Sequence, residues 1–316
     1  MSNPNTSPKS SNFIFSLFLE QAVSCFFESN LINKITNTSF SATTSYAANR
    51  DKKYFIKNIP DYINVNNQST RLTYSDVPQY KGFLLNFKGI TSSEDYLLKN
   101  LSKRNRKNIV QKKKLLALNH SIRYQIFFGA IDAKEYHSIF TTFYTLLKNR
   151  FDEKKVYNRY LENWDDLYAS VFSKINTKQA SLFVIYDTGK PISITLNFHL
   201  ADIVFSHIQA YNISYSKYQL GDISMLHHLE WCISHTIQIF DLSMGETYYK
   251  LKWKNQDYLF YHRIYYNSAS LKETIWAKIL VIQLKFMQFL RDKKIIGFSF
   301  SLDKLRYKLK KVIDHL

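Results

Sequence analysis

The chain has 316 residues, of which 45% are apolar and 16% aromatic, enough to fill one large hydrophobic core or two modest ones, and we expect two lobes. Lysine and arginine total 43 against 25 aspartate and glutamate residues, so the net charge of +18 favours a polyanionic partner: tRNA, a nucleotide cofactor, or an anionic membrane or glycan surface. The two cysteines, Cys25 and Cys232, exclude a disulfide framework and favour the cytoplasm.

The N-terminal region gives few strong patterns. Residues 1–12 are rich in Ser, Asn and Pro, which predicts disorder because they have almost nothing to bury. The apolar stretch 13–27 contains Glu20 and Gln21 and precedes no small-residue cleavage site, so it predicts an amphipathic helix rather than a signal sequence. Residues 30–80 are polar and predict short strands and loops. No apolar run reaches the roughly 18 residues of a membrane-spanning helix, so we expect a soluble protein, with peripheral contact at the inner membrane face left open.

A strongly basic helix is predicted over residues 93–119. Ser92 or Ser93 can cap it, and Glu94 and Asp95 face its positive end. The following basic residues have no acidic neighbour among them: Lys99, Lys103, Arg104, Arg106, Lys107, Lys112, Lys113 and Lys114. This pattern fits either a solvated helix face or a phosphate-binding face over 99–114 that contacts tRNA or an anionic membrane surface.

The remaining elements follow from periodicity and turn residues. We expect, in chain order, a strand at Ser121–Phe127, helices at Asp132–Phe151 and Tyr157–Phe172, strands at Ser181–Tyr186, Ile192–Leu200 and Ile203–Asn212, a helix after Gly221, a strand at Ile237–Leu242, a short helix, a strand at Tyr258–Tyr266, and a helical tail from Leu271 that is broken near Gly297.

Gly221 stands where a polar, tyrosine-rich loop meets the start of a helix. A helix start leaves four backbone N–H donors and a positive dipole end, and a glycine lets a phosphate approach the backbone closely. The position therefore fits either an anion site or an ordinary junction with Asp222 as the N-cap.

Four segments carry a resemblance to a known family: LSKRNRKNI, DTGKPISITLNF, YNISYSKYQLG and FDLSMGETYYKLKW. With the order of elements, they resemble GNAT-type acyltransferases of the branch named for a cellulose-biosynthesis protein, which is related to the Fem peptidyltransferases. The resemblance covers Leu98 to Trp253, about half of the chain. It departs from the family pattern at Asn212, where an aspartate is usual, and at Leu220, where a proline often precedes the glycine.

The resemblance implies an α+β chain with the GNAT acyltransferase fold, a mixed, mostly antiparallel sheet flanked by helices. We expect an N-terminal lobe over 13–117 that is a second, partial GNAT-like lobe, the acyltransferase domain over 118–268 and the tail over 269–316. The implied activity is transfer of an acyl group from acyl-CoA, acetyl-CoA or longer, to an amine of a small molecule, sugar or envelope (glycan) precursor. The alternatives are a Fem-like transferase that uses aminoacyl-tRNA and a non-catalytic basic binding module.

The resemblance also implies a set of site residues. The donor is expected to contact Ile208, Ala210, Tyr211, Gln219, Leu220, Gly221, Asp222, Ile223 and Ser224. The candidate catalytic residues are His207, Glu246, Tyr248 and Tyr249. The candidate substrate-binding residues are Asp241, Gly245, Lys250 and Trp253. His207 fits a general base or a structural strand histidine, and Glu246 fits a proton relay or an ion pair with Lys250.

A competing metal site is considered on the helix that follows Gly221. His228, Cys232 and His235 are spaced to lie on one helical face and to offer three zinc ligands. No fourth ligand is evident nearby, and this face also carries packing residues. We therefore expect no metal.

Overall fold

The computed structural model describes residues 10–45, 53–68 and 70–295, without the side chain of Arg159. The strands are β1 Ser10–Asn12, β2 Ala22–Ser24, β3 Phe27–Asn33, β4 Thr38–Ser41, β5 Thr43–Ser45, β6 Tyr54–Pro60, β7 Ile63–Asn67, β8 Thr73–Asn86, β9 Ile122–Phe127, β10 Ala180–Asp187, β11 Lys190–Leu200, β12 Ile203–Tyr211, β13 Ile239–Met244 and β14 Gln256–Tyr266. The helices are α1 Phe13–Glu20, α2 Ser93–Asn100, α3 Lys103–Asn119, α4 Ala133–Lys154, α5 Trp164–Asn176, α6 Leu220–Ser234, α7 Tyr248–Trp253 and α8 Leu271–Asp292.

The described residues divide into two compact units, one of residues 10–85 and 242–295 and the other of residues 86–241. These boundaries differ from the expected ones at 117 and 268. The basic helix α3 belongs to the second unit because Leu116 is buried in a cluster with Phe183 and Ile223. Strand β14 belongs to the first unit because it pairs with β6 and β8. Both assignments depend on pairings between residues far apart in sequence.

In the first unit, strands β1, β6, β14 and β8 are neighbours in that order. Strand β1 pairs in parallel with β6, and β14 runs antiparallel to both β6 and β8. Helix α1 buries Phe13, Ile14, Leu17 and Phe18. The side chain of Arg263 donates to both carboxylate oxygens of Asp76 at 2.7 Å across β14 and β8, a bidentate pair that fixes their register.

Several predictions for the N-terminal region need correction. Residues 10–12, expected to be disordered, form β1, whose backbone is paired with β6; residues 1–9 lie outside the described residues. The helix predicted over 13–27 ends at Glu20, because Gln21 adopts a left-handed conformation with φ 51° and β2 follows. The tail is helical over α8, and the break near Gly297 lies outside the described residues.

The predicted basic helix is two helices. Helix α2 begins at Ser93 with Ser92 as its cap, the hydroxyl accepting from the Asp95 amide at 3.1 Å. The chain is extended at Leu101 and Ser102, and the Ser102 hydroxyl caps α3 by accepting from the Asn105 amide at 3.3 Å. A serine that competes as an N-cap breaks the helix here. The second predicted helix, over 157–172, likewise begins later, with α5 at Trp164.

In the second unit, strands β13, β12, β11, β10 and β9 are neighbours in that order. Strands β9 to β12 are antiparallel, and β12 and β13 are parallel, so the sheet is mixed as expected. Helices α4 and α5 pack against it, as do α3 and α6. Strand β11 is buried on both faces, and its polar face, which begins at Ser193, meets α6, where the Thr195 and Ser224 hydroxyls lie 3.4 Å apart.

Candidate functional site

Strand β12 extends beyond the part that pairs with its parallel neighbour, β13. Its pairing with β13 covers three residues, Ile203 to Phe205, whereas β12 continues to Tyr211. The register against β11 slips by one residue at the same level, which makes a β-bulge at Ser206 and His207. Beyond Phe205, β12 therefore has an edge that no strand among the described residues covers.

The direction of the backbone groups at this open edge can be read from the register. The Asn212 amide donates to the Ile192 carbonyl at 2.8 Å, so alternate residues back along β12 also bond to β11. These are Ala210 and Ile208, both buried. The backbone groups of Gln209 and Tyr211 consequently point to the open edge. A donor lying along this edge would meet the backbone of Tyr211, one of the predicted contacts, and that of Gln209 in place of the predicted Ile208 and Ala210.

Arg150, which the sequence analysis did not single out, lies at the open edge. Its Nη1 donates to the Gln209 carbonyl at 2.5 Å, and its guanidinium lies 4.7 Å from the centroid of the Tyr211 ring. Its Nε is buried and has no hydrogen-bond partner. The residue lies near the C-terminal end of α4, which packs against β12. No local pattern marks it, because its role depends on where the helix ends relative to the strand.

Two cavities adjoin β12. One, of about 350 Å³, lies at the bulge and is lined by Leu147, Arg150, Phe151, Lys154, Val156, Tyr160, His207, Ile208 and Gln209. The other, of about 430 Å³, lies at the end of the strand and is lined by Thr145, Leu146, Asn149, Tyr211, Asn212, Ile213 and Ser214. Their positions follow the strand from the bulge towards the loop that leads to α6.

The cavity at the bulge combines an apolar wall with positive charge. Arg150 and Lys154 line it, and burial together with the Arg150 charge lowers the pKa of Lys154. Burial lowers the pKa of His207 to about 4, so its imidazole is neutral at pH 7. The His207 ring meets the edges of Tyr160 and Phe198, with centroids 5.2 and 5.3 Å apart. The cavity thus offers two cations and a neutral imidazole.

The start of α6 lies beyond the loop that follows β12. Gln219 is its N-cap in a left-handed conformation with φ 56°, and its side chain makes no cap hydrogen bond. Gly221 is the second helical residue and is half-buried, while Leu220, Asp222, Ile223 and Ser224 are buried. Asp222 is therefore in the first turn and is not the N-cap. The Asp222 amide donates to the Gln219 carbonyl at 2.9 Å, and the positive end of the helix dipole favours an anion at this end of α6.

Helix α3 brings positive charge beside this helix start. The Asn108 side-chain amide donates to the Gln219 side-chain oxygen at 2.7 Å. Arg104 and Lys112 stand four residues before and after Asn108, on the same side of α3. The basic helix and the α6 N-terminus thus combine two features that favour the same ligand, a phosphate.

The loop between β12 and α6 is held by a polar cluster. The Asp187 carboxylate accepts from the Tyr215 hydroxyl at 2.7 Å, and one of its oxygens lies 2.7 Å from His120 Nδ1. His120 Nε2 lies 3.0 Å from the hydroxyl of Tyr218, the residue before Gln219. These contacts lower the pKa of Asp187 and raise that of Tyr215 to about 12. The aspartate of the DTGKP turn therefore positions the loop, a role its turn motif did not reveal.

The three residues considered as metal ligands, His228, Cys232 and His235, have other partners or are buried. His228 Nδ1 lies 2.7 Å from the Ser224 carbonyl and Nε2 lies 3.0 Å from the Asn197 side-chain nitrogen. Burial lowers the pKa of His228 to about 4, so the neutral ring donates through Nδ1 and accepts through Nε2. Cys232 is buried, and His235 stacks on Trp231 at 4.2 Å. Within the parts of the chain that the structure describes, no three His, Cys, Asp or Glu residues are placed to hold a metal ion.

The remaining predicted residues differ in accessibility. Asp241, at the end of the β12–β13 pairing, is fully buried. In the first unit, Trp253 is also fully buried, so its indole packs in the core. Gly245 is exposed with φ +92°, which a side chain rarely adopts, and the Lys250 ammonium donates to the carbonyls of Ser243 and Met244.

The three candidate catalytic residues of the first unit are surface groups. Tyr248 is 74% exposed, Glu246 is exposed and Tyr249 is half-buried. Tyr248 and Tyr249 open α7, whose cap is the Thr247 hydroxyl accepting from the Lys250 amide at 3.2 Å. Their catalytic roles stay predictions.

Comparison with known proteins supports the fold. The family model described as an acetyltransferase (GNAT) domain matches residues 103–251, and the mixed sheet flanked by helices is the expected GNAT fold. Among similar solved structures, L-PGS from Bacillus licheniformis is 10% identical over 73% of this chain and 72% of that chain, with a TM-score of 0.45. A conserved protein of unknown function from Bacteroides thetaiotaomicron VPI-5482 is 8% identical over 67% of this chain and 69% of that chain, with a TM-score of 0.46. A GCN5-related N-acetyltransferase from Sphaerobacter thermophilus is 8% identical over 68% of this chain and 61% of that chain, with a TM-score of 0.36. A search of curated protein sequences gave no match.

Proposed function

We propose that this protein transfers an acyl group from acyl-CoA to an amine that carries an anionic group. The observation that supports this most directly is the open edge of β12, which leads from the cationic cavity at His207 to the start of α6. The match of residues 103–251 to the GNAT acetyltransferase domain supports acyl transfer as the reaction class.

The open edge supplies a binding mode for the donor. The extended arm of CoA carries amide groups, which pair with the edge backbone of Gln209 and Tyr211 as an added strand would. Its pyrophosphate then lies at the N-terminal end of α6, beside Leu220 to Ser224, where the helix dipole favours an anion. Arg104 and Lys112 add favourable charge there, because they lie beside Asn108, which is bonded to Gln219.

The reaction itself needs one proton acceptor and one charge stabiliser. The amine nitrogen attacks the thioester carbon, a C–N bond forms and the C–S bond breaks. The nitrogen loses a proton, and the departing CoA sulfur gains one. With the thioester at the bulge, neutral His207 accepts the amine proton. The Arg150 guanidinium stabilises the negative charge that develops on the carbonyl oxygen.

The cavity at the bulge indicates the acceptor class. Leu147, Phe151 and Val156 provide an apolar wall, while Arg150 and Lys154 provide charge. A protonated amine with no anionic group would be repelled by these cations. A phosphate or carboxylate on the acceptor offsets this repulsion and orients the amine. Phosphorylated amino sugars are one class that combines these features.

The acceptor assignment predicts a selective effect of Lys154→Gln. We expect KM for glucosamine 6-phosphate to rise about fivefold, since one ionic contact contributes about 1 kcal/mol at a part-exposed site, while KM for acetyl-CoA changes little. The rate is measured as release of the CoA thiol. The matched control is Lys148→Gln, an exposed lysine on the same helix that does not line the cavity. Equal effects of the two substitutions, or no thiol release with any amine bearing a phosphate or carboxylate, would contradict the assignment.

The proton-acceptor assignment predicts a distinctive pH profile. Because the pKa of His207 is lowered to about 4, its base form persists as pH falls below 6.5. We therefore expect kcat, corrected for the folded fraction and for ionisation of the acceptor, to show no histidine inflection near pH 6.5. His207→Gln should lower kcat about 100-fold with little change in donor affinity.

The control is His235→Gln, which changes an exposed histidine of the same unit. An inflection near pH 6.5 that disappears in His207→Gln would show that the histidine has an ordinary pKa. Unchanged kcat in His207→Gln would remove it from the proton transfer.

A further inference from the structure

Helix α8 presents two apolar faces. Its inner face packs in the first unit, where Ala277 is buried with Phe55, Val77 and Ile264, and neighbouring side chains complete this contact: Trp276, Leu280, Val281 and Leu284. Its outer face carries six large apolar side chains, which are 49% to 74% exposed: Leu271, Ile275, Ile279, Ile282, Phe286 and Phe289. They recur every three or four residues and so form one continuous stripe. We call it the α8 stripe.

The borders of the α8 stripe are positively charged. Lys272 lies on one side and Lys278 and Lys285 on the other, and all three are exposed. The two acidic residues of the helix are bonded close to its ends. Glu273 accepts from the Asn267 amide at 2.7 Å, and Asp292 accepts from the Gln288 side chain at 2.8 Å. The exposed face is therefore apolar along its centre and cationic at its margins.

We propose that the α8 stripe binds an anionic lipid surface, with the helix axis parallel to the membrane plane. A helix with an apolar face and lysines at its margins places the apolar side chains at the level of the acyl chains and the ammonium groups among the phosphates. Charge complementarity favours this partner over a second copy of the chain. Pairing two stripes would bring their lysine borders together, and like charges repel. No helix in the described ranges is long and apolar enough to cross a membrane.

This contact adds a function that acyl transfer does not require. It would confine the protein to the surface of an anionic membrane. The acyltransferase domain, over 103–251, contains none of the residues that form the stripe. Lipid binding and donor binding can therefore be tested separately.

The test is co-sedimentation of the full chain with phosphatidylglycerol–phosphatidylcholine vesicles and with phosphatidylcholine vesicles. We expect binding to the anionic vesicles to be at least tenfold stronger and to weaken as salt is added. The double variant Ile282→Ser, Phe286→Ser should lose at least tenfold in partitioning to the anionic vesicles. Its melting temperature should match that of the unchanged protein, because both side chains are exposed.

The matched control is Leu118→Ser, which removes a 73% exposed leucine from the basic helix α3. It should leave vesicle binding unchanged. Loss in the control with none in the double variant would assign binding to α3 and overturn the proposal. So would equal binding to neutral vesicles, or a stable dimer by light scattering that binds no vesicles and that the double variant abolishes.

Discussion

Replacing Gly221 by aspartate is expected to weaken acetyl-CoA binding at least about 100-fold while leaving the protein folded. Gly221 is the second residue of α6, at the helix end proposed to bind the pyrophosphate. A carboxylate in the first turn of a helix is favourable for the helix itself. It also lies a few ångströms from the proposed phosphates, where two like charges repel by about 4 kcal/mol at 4 Å in a partly screened site. Binding is measured by isothermal titration calorimetry.

The matched control is Gly221→Asn, which has nearly the same shape without the charge. We expect it to weaken binding less than about tenfold, because only the space beside the backbone changes. Equal losses in the two variants would mean that bulk, rather than charge, causes the effect. No loss in the aspartate variant would place the phosphates elsewhere.

The free energy of unfolding is expected to fall steeply as pH falls from 6.5 towards 4. Burial lowers the pKa of His199 to about 3 and that of His228 to about 4. Between these values and 6.5 the unfolded chain binds protons that the folded chain does not, so acid favours unfolding. Each such histidine contributes about 1.4 kcal/mol per pH unit, and these two together about 2.7. Above pH 6.5 both states are neutral and this effect vanishes.

Other groups modify this slope. His207, His227 and His262 also have pKa values lowered to about 4 by burial, and they act in the same sense. The raised pKa values of Asp61 and Glu230 act in the opposite sense.

We therefore propose His228→Gln as an internal comparison, since it removes one titrating group. Urea unfolding at pH 7.0, 6.0 and 5.0 should show an average slope smaller by about 1 kcal/mol per pH unit in this variant, because the unfolded histidine is only partly protonated near pH 6.5. An unchanged slope would contradict the account of a neutral, buried His228.

The order of elements was largely predictable from the sequence. Strand β11 alternates apolar and polar residues and follows the DTGKP turn, so its pairing with β10 is a local hairpin. The break between α2 and α3 was not predicted because Leu101 continues the apolar pattern of the basic helix, whereas the Ser102 cap ends it. The unit boundaries were not predicted because the pairing of β14 with β8 joins residues about 180 positions apart.

The site was predictable only in part. The motif around Gly221 located the helix start, and strand β12 was placed correctly. The backbone groups at the open edge are those of Gln209 and Tyr211 because the bulge at His207 shifts the alternation. A bulge leaves no clear signature in one sequence. Arg150 and Lys154 were absent from the predicted site because they come from a helix that the chain leaves long before it reaches β12. Trp253 and Asp241 matched family positions but are fully buried.

The most direct test of the proposed donor site is the stabilisation of the purified protein by acetyl-CoA and longer acyl-CoAs. A donor at 100 times its dissociation constant should raise the free energy of unfolding by about 2.7 kcal/mol, because it binds the folded state alone. We expect this increase in urea unfolding at pH 7.5 for the unchanged protein and for Lys148→Gln, and its loss in Gly221→Asp at the same donor concentration. No increase with any acyl-CoA would contradict an acyl-CoA site on the open edge of β12.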